Sequence, residues 1–255
     1  MKVNSYEELI ELANGCKNDI EKLKLLQTYF IENVEFDYIF EFALENSENE
    51  RNVKNEFSSM QEKIDELKKF EKQFGNNFHF SKADEEKIIS IMGEKIEPTQ
   101  KSYYLFGKEY TSTDRGYNGG IYDCLKRLQT GEAIYEDGLI KKGVCKDFSP
   151  FVKKFCESCG IKCEVLGTGD HVFNLINIDG QERIFDYTRM LGIRDDYKNP
   201  DNQSIDDWFN MTYEKMLEYK PDRKIIYIND KKLKEPITRL NYKNTIKEIE
   251  DELEK

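Results

Sequence analysis

The chain predicts an α+β fold in which one amphipathic helix packs on an antiparallel sheet. Three observations predict it. Phe148, Phe151, Val152, Phe155, Cys156 and Cys159 recur at helical spacing after Gly143, giving one continuous apolar face. Segments at about 161–168, 171–178, 181–188 and 224–229 have strand character. Between the second and third of these, Asp179-Gly180 is a two-residue hairpin signal flanked by alternating residues.

Taken in order, the elements fit a single domain over 1–255, since 255 residues suffice to bury a substantial core. Ser5-Tyr6-Glu7-Glu8 has the form of a capping box opening a short helix, which Asn14-Gly15 ends. A second helix is expected from about Asp19 to Asn33, with Ile20, Leu23, Leu26, Phe30 and Ile31 on one side. Residues 41–100 are rich in Glu, Lys and Asn, yet Phe57, Met60, Ile64 and Leu67 recur at helical spacing. Ser81-Lys-Ala-Asp84 starts another helix there. This stretch reads as a helical insertion with a solvated charged face. Residues 101–142 are mixed in character, with a break at Gly119-Gly120, and 143–190 hold the candidate catalytic core. Asn241 to Lys255 reads as a charged helix.

Composition narrows the function. Charged residues make up 35% of the chain, hydrophobic residues 38%, and the formal net charge is −11. Such an acidic balance argues against a nucleic-acid partner, which needs a basic face. No apolar run approaches the ~18 residues of a membrane span, and the first residues carry no signal-like apolar stretch. The expectation is a cytoplasmic protein with no membrane partner. Its cysteines, Cys16, Cys124, Cys145, Cys156, Cys159 and Cys163, do not read as a disulfide framework in such a chain. Cys156, Cys159 and Cys163 have a zinc-like spacing but lack a fourth ligand, and the helix face and the strand account for all three as core residues. Neither a phosphate-binding glycine loop nor a calcium loop is found, so no cofactor and no metal is expected.

The chemistry gathers in Gly143-Val-Cys145, His171-Val-Phe-Asn174 and Phe185-Asp-Tyr-Thr188. Cys145 falls three residues before Phe148, on the same face and at the helix N-terminus. There the unpaired N–H groups and the helix dipole stabilise an anion, which favours a reactive thiolate. The same groups can hold a developing oxyanion. Pro150 fits because it falls near the first turn. Carrying the Asp179-Gly180 hairpin back in register places Ile178 opposite Gln181, Phe173 opposite Asp186 and His171 opposite Thr188. His171 and Asp186 are then diagonal neighbours on one sheet face. A carboxylate there fixes the imidazole tautomer and stabilises its charged form. If the helix packs on that face, Cys145 meets His171.

These stretches resemble the transglutaminase-like superfamily of papain-like thiol enzymes. Gly143-Val-Cys-Lys-Asp-Phe-Ser149 is similar to the nucleophile motif at the head of that family's central helix. Cys159 to Val165 resembles the helix end and the strand that follows, and 171–188 resembles the histidine and aspartate strands. More weakly, Leu25 to Tyr38, with Asn33-Val-Glu-Phe-Asp37, resembles the family's early helix and its ending. Phe173 stands where the family often has Trp, and Ser149 where it usually has Ala. The resemblance implies that Cys145 is the nucleophile, His171 the general base and acid, and Asp186 the orienting group. It also implies acyl transfer at amide bonds of a protein or peptide substrate. With water as acceptor the enzyme is a cysteine peptidase or amidase, the reading favoured here; with a lysine amine it is a transglutaminase. A catalytically idle binding scaffold is the alternative from another class.

Overall fold

The computed structural model describes residues 1–38, 57–92, 102–105, 108–111, 135–168, 171–197, 199, 202–221, 223–229 and 231–237. The helix expected over 241–255, Cys124 and the Gly119-Gly120 break lie outside these residues. The described part is mixed helix and strand, as the α+β expectation has it.

Helix α1 (Tyr6–Asn14) opens where Ser5 accepts a hydrogen bond from the Glu8 N–H. Helix α2 (Asp19–Asn33) is capped in the same way by Asn18. Leu23, Leu26, Tyr29 and Phe30 of α2 are buried. Further along, α3 (Met60–Phe74) and α4 (Lys82–Ile91) start at Ser59 and Ser81, both of which cap with their side chains. Phe57 lies before α3 and not within it. The loop between the two helices is anchored on the body, since the Phe78 ring lies 4.8 Å from Tyr38 and 5.2 Å from Tyr197.

The main sheet has five strands: β7 (Cys163–Gly167), β8 (Val172–Ile178), β9 (Gln181–Phe185), β10 (Ile225–Ile228) and β11 (Lys231–Ile237). Their spatial order is β11-β10-β7-β8-β9, with every neighbouring pair antiparallel. Asp179 and Gly180 both have positive φ, 51° and 76°, so the β8–β9 turn is of the type that matches strand twist. Its register pairs Ile178 with Gln181 and runs back to Asn174 with Phe185. The free side of β9 is closed by Met211, which exchanges two backbone hydrogen bonds with Ile184.

Helix α5 (Cys145–Ser158) lies between this sheet and α2. Phe148 and Phe151 meet Phe30, with ring centroids 5.5 and 6.0 Å apart. On the sheet side, the buried Asn174 amide of β8 donates to the Ser149 carbonyl (2.9 Å) and to the Cys163 thiol (3.4 Å). Pro150 is the sixth residue of α5, so it falls in the second turn and not the first. It removes the donor that the Lys146 carbonyl would otherwise receive. Three short pairs complete the description: β2 (Ser102–Leu105) with β3 (Lys108–Thr111), β4 (Tyr135–Glu136) with β5 (Leu139–Ile140), and β1 (Glu35–Phe36) parallel to β6 (Lys142–Gly143). No helix among the described residues is long and apolar enough to cross a membrane.

Candidate active site

The nucleophile candidate is placed by the chain on both sides of it. Gly143 is held in the β1–β6 pair, and its carbonyl accepts from the Asp37 N–H at 2.8 Å. Helix α5 then begins at Cys145, as its apolar periodicity implies. Asp147, the third helical residue, turns back so that its carboxylate accepts from the Val144 N–H at 3.0 Å. This return needs a glycine: a Cβ on Gly143 would lie 2.9 Å from the Asp147 Cβ and 3.2 Å from the Phe148 ring. Burial, with a smaller push from Asp37, raises the Asp147 carboxyl to about 6. Cys145 itself is half-buried.

His171 stands one residue before β8, not within it. Thr168 brackets it: the Thr168 N–H and hydroxyl donate to the His171 carbonyl, and the His171 N–H donates to the Thr168 hydroxyl. The side chain is 14% exposed. Asp186 is also not a strand residue. The ladder ends at Phe185, and Asp186 is the N-cap of helix α6 (Tyr187–Arg194). Thr188 is therefore helical, so the pairing of His171 with Thr188 does not form. The reason is local: the Asp186 N–H bonds to the Trp208 carbonyl, and its side chain satisfies the Arg189 N–H at 2.9 Å.

Despite the changed backbone, the three side chains meet. The other Asp186 oxygen accepts from His171 Nε2 at 2.7 Å. With that nitrogen engaged, Nδ1 is the ring nitrogen left open, and Cys145 lies near enough to the imidazole to help raise its proton affinity. Burial alone would lower the proton affinity of His171. The Asp186 carboxylate and the bond to Cys145 outweigh it, so His171 rises to about 9. Asp186 is held below the usual carboxylate range, because the imidazolium and the Arg189 N–H outweigh its burial. Near neutral pH His171 thus holds a proton against the Asp186 carboxylate, beside the Cys145 sulfur. Such a site can keep the proton that the cysteine gives up on becoming a nucleophile and deliver it to a leaving group.

The remaining cysteines differ. Cys156 and Cys163 are buried free thiols, and hydrogen bonding from Cys163, reinforced by burial, pushes the Cys156 thiol well up. Burial also raises Cys159. Among the described residues, no group of three or more His, Cys, Asp or Glu is arranged to hold a metal. His79 is a loop residue with its side chain 75% exposed. Upstream of Cys145, Tyr110, Tyr117 and Asn118 are residue types able to donate to an oxyanion; Tyr110 lies on β3, while Tyr117 and Asn118 fall outside the described residues. Two contributors escaped the sequence reading. Asp147 carried a signal, as an acidic third residue after a helix start; Arg223, discussed below, carried none. Comparison with protein-family models, curated proteins and solved structures finds no match to this chain.

Proposed function

We propose that the protein is a thiol enzyme of papain-like, transglutaminase-like architecture that cleaves amide bonds in a peptide or protein through an acyl-enzyme. Cys145 attacks the carbonyl, His171 takes the thiol proton and passes it to the leaving amine, and Asp186 fixes and charges the imidazole. Water then releases the acyl group. The observation that carries this reading is the single imidazole bonded to Asp186 and adjoined by a cysteine at a helix tip. Supporting it, Cys145 is the only described cysteine that pairs with a histidine, while Cys156 and Cys163 are sealed in the core.

Alkylation tests the proposal. Iodoacetamide near neutral pH, followed by peptide mass mapping, should modify Cys145 far faster than the other five cysteines. Casein hydrolysis should be present in the wild type and lost in Cys145→Ala. Equal alkylation of all six would remove the thiol-enzyme reading. Incorporation of a primary amine without release of peptides would replace hydrolysis with transamidation.

A further inference from the structure

One half-buried cation near the site plays no part in the mechanism above. Arg223 lies between helix α7 (Tyr213–Tyr219) and β10, and its N–H bonds to the Lys220 carbonyl at 3.1 Å. This turn sends the side chain back over β8, with its guanidinium carbon 5.8 Å from the centroid of the Phe173 ring. Phe173 in turn stacks on the His171 imidazole, with centroids 6.0 Å apart and planes 29° apart. Phe173 therefore adjoins both the guanidinium and the imidazole.

The surroundings are unusual for an arginine. Its Nη1 is buried and makes no hydrogen bond. The Tyr213 hydroxyl, buried and also without a partner, lies within its electrostatic reach. Burying a cation in this way is costly unless a nearby charge offsets it. The carboxylate it faces is Asp186, whose two oxygens are already taken by His171 and by the Arg189 N–H. Arg223 thus acts on the pair through space.

We propose that Arg223 is a positioning residue of this site: a fixed positive charge, facing the His171–Asp186 pair across Phe173, that sets how the proton is shared between imidazole and thiol. The charged and titratable groups facing His171 are then Asp186 from the β9–α6 junction, Cys145 from α5 and Arg223 from the α7–β10 turn. The Asp186 carboxylate draws the proton onto His171, which on the thiol-enzyme reading must still release it to a leaving amine. Arg223 opposes the imidazolium while favouring the carboxylate, so it loosens the proton without neutralising the acid. The proposal rests on the thiol-enzyme reading of the site, but its primary test does not.

Titration of the imidazole signals by NMR is that test, because the chain has only two histidines and the exposed His79 serves as an internal reference. Arg223→Met keeps an apolar stem against Phe173 and removes the charge. It should raise the His171 midpoint by roughly half to one pH unit, with His79 unmoved. Arg223→Lys should stay near the wild-type midpoint. Arg223→Gln is a second neutral variant, so a folding failure of one, seen by thermal melting, leaves the other to decide. An unchanged His171 midpoint in a folded neutral variant overturns the proposal. So does a rise in KM with no movement of the midpoint, which would make Arg223 a substrate-binding residue. A parallel upward shift of the alkaline limb of kcat/KM links the charge to catalysis. A midpoint that moves in a protein without activity keeps the electrostatic role and removes the enzymatic one.

Discussion

Replacing Asp186 by Asn isolates the charge of the acid from its structural role. Asparagine caps a helix about as well as aspartate, so its amide oxygen can still accept from the Arg189 N–H and keep α6 in place. The amide NH2 then faces His171 Nε2, which can no longer donate there. The imidazole must either lose its proton or carry it on Nδ1, where it cannot receive one from Cys145. His171 stands at about 9 in the folded protein against an ordinary 6.5. That difference of about 2.5 pH units corresponds to about 3.4 kcal/mol, or a factor of about 300 in the imidazolium equilibrium. At pH 7.5 the imidazolium fraction falls from about 97% to at most about 9%. Because the folded value lies above the unfolded one, the linked stability is complete well below pH 6.5 and is lost as pH rises through about 9. It amounts to about 2 kcal/mol at pH 7.5 and almost nothing at pH 10. Asp186→Asn should therefore slow alkylation of Cys145 and lower kcat/KM by about two orders of magnitude or more. It should also destabilise the protein by about 2 kcal/mol at pH 7.5 but not at pH 10. Stopped iodoacetamide time courses and denaturant titrations at the two pH values measure both. An alkylation rate within threefold of wild type, with the same pH profile, would refute the reasoning.

Three further outcomes are expected. On the proposed reading, amide cleavage by the wild type should slow as pH rises through about 9, where His171 loses its proton, and a kcat/KM profile from pH 6 to 10 will show the limb. Gly143→Ala brings a Cβ to 2.9 Å from the Asp147 Cβ; the resulting overpacking should cost about 1–3 kcal/mol in a thermal or denaturant melt and displace Cys145 enough to slow its alkylation. The Asp147 carboxyl is raised from 3.8 to about 6 by burial, so its linked stability is present at low pH and lost as pH rises through about 6; Asp147→Asn, which keeps an acceptor for the Val144 N–H, should be more stable than wild type by up to about 3 kcal/mol at pH 8 and by only about 0.5 kcal/mol at pH 4.

Much of this was legible because the signals are local. Ser5 and Ser81 announce their helices, and both cap as their positions imply. Asp179-Gly180 sets the β8–β9 register from the turn alone. The run from Phe148 to Cys156 fixes which side of α5 is buried, and therefore where Cys145 must start it. The misread strand ends have a physical cause. Ile184, Phe185 and Tyr187 continue an apolar pattern that resembles a strand, but Asp186 has a better use for its side chain as a cap. Asp137-Gly138 carries the same hairpin chemistry as Asp179-Gly180, with both residues at positive φ. It flanks only two residues on each side, too few to alternate. Strand β11, with its lysines and Pro236, is polar enough to escape notice, yet such residues are tolerated on the sheet edge it occupies. Arg223 reaches the site only through the fold and has no sequence neighbour among the site residues.

The shift of Asp186 from strand to cap changes what the acid does. On a strand it would be one rotatable side chain beside His171. As the N-cap of α6 it has one oxygen bonded to the Arg189 N–H and its backbone tied to Trp208, so only one oxygen is left for the imidazole. Cys145 is likewise the first residue of its helix. Two helix N-termini thus converge on one histidine, and a helix N-terminus favours negative charge. The imidazolium lies between them, and Arg223 stands behind Phe173 as a counterweight. The proton's position then depends on charges held by rigid elements and not on a flexible loop. That is why the substitutions above should alter proton affinity and reactivity before they alter the fold.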